Sequence, residues 1–161
     1  MMIDNPFVPL TFIAGPAILT NACAILQNSA TLRYGLAIPQ WREFRASLAD
    51  RSGLLESLYA DPDLALVLAE RRIRLVLRGL DLLYAAVGLF GTTSLLGLAG
   101  AVLATSEHAF APAALFVWLV IIFAAVGLLL LLGAMACFTA ESHCARALLR
   151  QQLIVDGPGP P

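Results

Sequence analysis

The chain has 161 residues, of which 60% are apolar and 13% charged, with a mean hydropathy of +0.83 and a net charge of −1. A water-soluble domain carries roughly half apolar and a quarter charged residues, so this composition excludes an ordinary soluble domain and points to an all-α integral membrane protein. The near-zero net charge argues against nucleic acid as a partner and against strong attraction to anionic lipid surfaces.

The first candidate span covers residues 6–32. It is uncharged over 6–28, and Asn5-Pro6 offers a helix start with proline in the first turn. No basic stretch precedes it, since Asp4 is the only charged side chain there, and no small-residue cleavage site follows a short apolar core. The segment therefore reads as a retained span rather than a cleaved signal. Pro16 is expected to kink it. The stretch AGPAILTNACAILQNSATL (residues 14–32) is polar for a membrane helix. At 100° per residue, Pro16, Ala17, Thr20, Asn21, Cys23, Ala24, Gln27, Asn28 and Thr31 fall within one wedge of roughly 160°. Ile18, Leu19, Ala22, Ile25, Leu26 and Leu32 fall on the other side, with Ser29 the main exception. Small residues allow close helix approach, and amides and hydroxyls hydrogen-bond across it. Pro16, Thr20, Asn21, Gln27 and Asn28 are thus the expected helix-packing or interface residues, their polar face leaning on the other spans.

Residues 33–63 read as a cytoplasmic segment. Pro39 is expected to start a short helix running through Ala49, in which Trp41, Phe44 and Leu48 repeat at i, i+3 and i+7 between charged residues. That pattern suits either the bilayer surface or packing against neighbouring helices. Trp41, Phe44, Arg71, Arg72, Arg74 and Arg78 are the expected cytoplasmic membrane-surface residues. Arg51-Ser52-Gly53 reads as a break and Asp61-Pro62-Asp63 as a helix start.

Residues 64–105 read as one long helix containing the second span, whose uncharged part is 82–104. Glu70 with Arg74 and Arg78 with Asp81 stand at helix-stabilising spacings. Gly88, Gly91, Gly97 and Gly100 read as helix-packing glycines. After an external loop at 106–111, residues 112–153 read as a second long helix, uncharged over 112–140. Each uncharged run exceeds the ~20 residues that cross a bilayer core. The two helices are expected to form a long antiparallel hairpin protruding into the cytoplasm, with Ile73, Val76, Leu77 and Leu80 against Ala145, Leu148, Leu149 and Leu153. The Gly/Pro tail, 154–161, reads as a loose or partner-held end.

Arginine sets the expected orientation. There is no lysine, and all ten arginines lie between Arg33 and Arg78 or at Arg146 and Arg150. Three spans place both regions on one side, which the positive-inside rule makes cytoplasmic, leaving the N-terminus periplasmic. Cys23, Cys137 and Cys144 fall within the membrane or on its cytoplasmic side, where thiols stay reduced, so no disulfide is expected.

Little in the sequence carries chemistry. Cys137, Glu141 and Cys144, with His143 nearby, are metal-ligand types at i, i+4 and i+7, but one helix does not wrap a tetrahedral ion and no second ligand cluster exists. The plainer reading is two buried thiols and a surface charge. No histidine or acid lies deep in a span to bind a haem or relay protons. No catalytic residue, cofactor or metal is assigned, and the chain is read as a non-enzyme.

The stretch NPFVPLTFIAGPAILTNACAIL, followed by a polar turn and Arg33, resembles the bacterial domain of unknown function 2721 family of small integral membrane proteins. GPAILTNA (residues 15–22) is its most specific part, and the likeness extends over roughly residues 5–152. The family continues after this arginine with a charged helix, whereas YGLAIPQW intervenes here. The resemblance implies a three-span fold in the inner membrane, with Thr20 and Asn21 as packing residues, and implies no activity. The expected function is a non-catalytic accessory, scaffold or assembly subunit of a larger inner-membrane complex. Its partners are membrane lipids and other integral membrane subunits, with homo-oligomers allowed. The alternative is a small homo-oligomeric channel or transporter whose span-one polar face lines a pore.

Overall fold

A computed structural model describes residues 8–50, 57–104 and 110–156, with side chains placed over 14–47, 57–102 and 115–154. Helix is the only regular structure among them. Helix α1 is Val8–Asp50, α2 is Pro62–Ala104 and α3 is Phe110–Asp156. At 1.5 Å per residue each is about 65–70 Å long, roughly twice the hydrocarbon thickness of a bilayer. Two stretches are long and apolar enough, by length and composition, to cross a membrane: Pro62–Val102 in α2 and Leu115–Ile154 in α3. The described part of α1 does not reach that apolarity, because Thr20, Asn21, Gln27, Asn28, Ser29 and Thr31 dilute it.

The continuity of α1 corrects the sequence reading, which ends the first span near residue 32 and opens a separate helix at Pro39. One helix runs through both. An interior proline costs about 3 kcal/mol, because it removes one backbone hydrogen bond and crowds a carbonyl four residues back. Packing holds the two sides in phase nonetheless. Cys23, Ala30, Ala37 and Phe44 are buried at intervals of seven, with half-buried Pro16 one step earlier. A break at Pro39 would turn Phe44 off this seam.

The start of α2 follows the sequence closely. Asp61 Oδ1 accepts the Leu64 N–H at 3.0 Å, and the Asp61 carbonyl accepts the Ala65 N–H at 3.0 Å. Pro62 occupies the first helical position, where its missing N–H costs nothing, and Asp63 adds negative charge to the first turn. The expected break at Arg51-Ser52-Gly53, the start at Pro6 and the end of the tail at 157–161 lie outside the described residues. So does the expected loop at 106–111, except for Phe110 and Ala111, which open α3.

Contacts divide the chain into two units, each assembled from parts of all three helices. The first comprises Met1–Asn28 and Asp81–Gly133, the second Ser29–Leu80 and Ala134–Pro161.

In the first unit α2 buries Leu83, Ala86, Phe90 and Thr93 along one face. Phe90 is fully buried against Gly127, where an added Cβ would stand 2.9 Å from the ring. Gly133 meets Leu82 and Gly100 meets Phe116. These contacts descend along α3 as they ascend along α2, so the two helices run antiparallel here. Gly88 and Gly91 do not pack as expected: a Cβ on either meets nothing within 4 Å, because the contact face of α2 passes through Phe90 and Thr93 instead. Thr92, Thr93 and Ser94 donate their hydroxyls to the carbonyls of Gly88, Leu89 and Phe90 at 2.7–3.1 Å. Three successive polar side chains are thereby satisfied inside their own helix, as an apolar setting requires. The outward side is strongly apolar. Ile18, Ile25, Leu95, Trp118 and Leu129 are each more than half exposed, and only 6% of the most apolar 18 residues of α3 is buried.

The second unit has a core. Phe44, Tyr59, Ala65, Ala69 and Leu148 form one buried cluster, with Trp41, Leu66 and Leu68 packed on it. Tyr59 meets Phe44 edge to face, centroids 5.1 Å apart, and its hydroxyl accepts the Gln152 side-chain N–H at 2.8 Å. A second cluster holds Ala30, Val76 and Leu80, covered by Tyr34 and Phe138. This register corrects the expected pairing. Leu148 meets Ala65 and Ala69, while Val76 and Leu80 meet Phe138; Leu77, Leu149 and Leu153 are exposed. In an antiparallel pair the earlier residues of α2 must face the later residues of α3, which takes Leu148 past Val76.

Candidate functional site

Within the second unit the residue that stands out is Glu141. The apolar seam of α3 repeats every seven residues through Ala134, Glu141 and Leu148, so helical geometry carries this carboxylate inward with its neighbours. Glu141 is 1% exposed, which corrects its reading as a surface charge.

A buried carboxylate must be paired. Arg72 of α2 donates Nε–H to Glu141 Oε1 at 2.5 Å, and Arg33 of α1 donates to Oε2 at 3.1 Å. Each helix thus contributes one member. Arg72 also donates to Gln40 Oε1 at 3.2 Å, and Arg33 to the Ser142 hydroxyl at 3.2 Å. The two arginines differ in setting: the Arg72 side chain is 18% exposed and that of Arg33 is 44% exposed. Both carboxylate oxygens are engaged by cations, and the cluster carries one net positive charge. The triad ties α1, α2 and α3 together at one level of this unit.

The expected packing residues separate. Pro16, Thr20 and Gln27 are half-buried, and the Thr20 hydroxyl donates to the Pro16 carbonyl at 2.9 Å. Asn21 and Asn28 are exposed, with Ala17 and Ala24 beside them. The wedge is too wide for one contact, so the buried seam through Pro16, Cys23 and Ala30 takes only one side of it.

The expected membrane-surface residues separate too. Phe44 is 5% exposed, buried in the core against Tyr59, and cannot lie on a bilayer. Trp41 is half-buried on the same cluster, with the Arg45 guanidinium 5.1 Å above its ring. Arg72 is taken by Glu141. Arg71, Arg74 and Arg78 are exposed, and Arg74 reaches Glu70 at 3.4 Å. Arg78 and Asp81 form no ion pair with each other, which fits the few tenths of a kcal/mol that such exposed spacings are worth.

Of the metal-ligand types, Cys144 is buried, Cys137 is half-buried, His143 is exposed on the far side of α3, and Glu141 is committed to the arginines. Among the described residues no three His, Cys, Asp or Glu converge on a point. The three cysteines are free thiols. His143, Arg146 and Arg150 line a shallow basic recess on the outer face of α3, which the sequence reading does not single out.

Compared with protein-family models, with curated proteins and with solved structures, the chain has no match.

Proposed function

We propose that the protein is a non-catalytic integral protein of the bacterial inner membrane, an accessory, scaffold or assembly subunit of a larger complex. In this reading α1, α2 and α3 each cross the bilayer, and α2 and α3 form a hairpin that continues beyond it. The N-terminus is periplasmic, and the arginine-bearing portions and the C-terminus are cytoplasmic. It is the layout implied by the resemblance at residues 15–22. The observation that carries the functional part is the closure of Glu141. The one buried acid among the described residues is held by Arg72 and Arg33 and spent on joining helices. The apolar exposure of α2 and α3 supports the membrane part.

The test is gentle detergent extraction from native membranes, native-gel separation and mass spectrometry of the band. Stoichiometric co-migration with a large complex is the expected result. Migration as a small homo-oligomer that conducts ions after reconstitution would overturn it in favour of a channel, the reading for which exposed Asn21 and Asn28 speak.

A further inference from the structure

Asn21 and Asn28 stand seven residues apart on α1, both exposed, on a face completed by exposed Ala17 and Ala24. No described residue hydrogen-bonds to either amide. The flanking face is of another kind: Ile18 is 69% exposed and Ile25 64%. If α1 spans the membrane, as proposed above, two primary amides are presented to hydrocarbon, which is costly unless they find partners.

We infer that this face is a self-association surface and that its occupant is the α1 helix of a second copy of the chain. The argument is one of symmetry and chemistry. Every copy inserts with the same orientation, so two α1 helices meet in parallel. Across a two-fold axis in a parallel pair, Asn21 faces Asn21 and Asn28 faces Asn28. A carboxamide is both donor and acceptor, so it is complementary to itself, which a carboxylate or an ammonium group is not. A spacing of seven keeps both levels on the seam of two wound helices. Ala17 and Ala24, one step away on the same face, let the backbones approach as amide pairing requires. A different protein would need its own donors and acceptors at a matching pitch, whereas a second copy has them already.

The experiment introduces Ala24→Cys or Ala22→Cys into the full-length chain in native membranes, with the unmodified chain as the blank for its natural cysteines. Both positions are exposed and lie at nearly the same depth, but Ala22 stands about 100–120° round α1 from the two asparagines, whereas Ala24 stands about 40–60° from them. A short bis-maleimide is expected to join Ala24→Cys copies at least tenfold more than Ala22→Cys copies. Adding Asn21→Leu or Asn28→Leu should weaken association roughly eightfold for each asparagine, two amide–amide bonds being lost at about threefold apiece. Equal, background-level joining at both positions overturns the inference and leaves the membrane reading standing. Reaction of both cysteines with a membrane-impermeant maleimide overturns both, since α1 would then lie in water. Reaction of Ala24→Cys alone with that reagent assigns the face to a water-filled pore and overturns the two-fold contact.

Discussion

Replacing Arg72 by methionine tests the reasoning about the charged cluster most directly. Methionine keeps most of the side chain's length and apolar volume while removing the charge and the donors. Glu141 would retain only Arg33, whose side chain is 44% exposed and so attracts it through a partly aqueous medium. Removing one partner of a buried ion pair costs about 3–5 kcal/mol; with Arg33 remaining, a loss of about 3 kcal/mol is expected. Arg33→Met removes the more solvated partner and should cost about 1 kcal/mol. Replacing all three charges, as Arg33→Met with Arg72→Met and Glu141→Leu, leaves no buried charge and should return stability to within about 1 kcal/mol of the parent or above it. Thermal unfolding of the purified protein in mild detergent reads these differences. At roughly 2–4 °C per kcal/mol for a chain of this size, Arg72→Met should lower the midpoint by about 6–12 °C and Arg33→Met by about 2–4 °C. Equal losses for the two single variants would refute the burial argument. A triple variant as unstable as Arg72→Met would refute the claim that desolvation sets the cost.

Two further outcomes follow from packing. Gly127→Ala places a methyl 2.9 Å from the fully buried Phe90 ring and should cost about 1–3 kcal/mol in the same unfolding assay; Gly88→Ala, which meets nothing within 4 Å, should not destabilise. Tyr59→Phe keeps the edge-to-face contact with Phe44 but removes the acceptor for Gln152, for an expected loss of about 1 kcal/mol, while Tyr59→Ala should lose about 3–5 kcal/mol by emptying the cluster.

Local chemistry was legible in the sequence where it acts over a few residues. Asp61-Pro62-Asp63 announces α2 because capping, proline geometry and first-turn charge are all local, and the Glu70–Arg74 pair follows from helical spacing alone. The uncharged runs in α2 and α3 are visible because transfer into lipid depends on composition. What escaped notice is what a neighbouring helix decides. Pro39 looks like a boundary, but Ala37 and Phe44 on either side of it are both buried and one helix runs across it. Glu141 looks exposed because a carboxylate usually is, although its seven-residue spacing from Ala134 and Leu148 was a usable sign that it shares their inward face. The wedge that holds Asn21 and Asn28 is roughly 160° wide, broader than the buried seam through Pro16, Cys23 and Ala30 covers, which is why both asparagines stand exposed.

The cluster at Glu141 also has a place in time. Residues 33 and 72 leave the ribosome well before residue 141, so α1 and α2 emerge carrying arginines that nothing yet neutralises. The carboxylate that joins them arrives only with the last helix. A nascent chain cut short before Glu141 is therefore left with two unmatched cations, one of them meant for an interior site. The triad therefore closes only once α3 is in place, so the tie between α1, α2 and α3 is among the last contacts the growing chain can make.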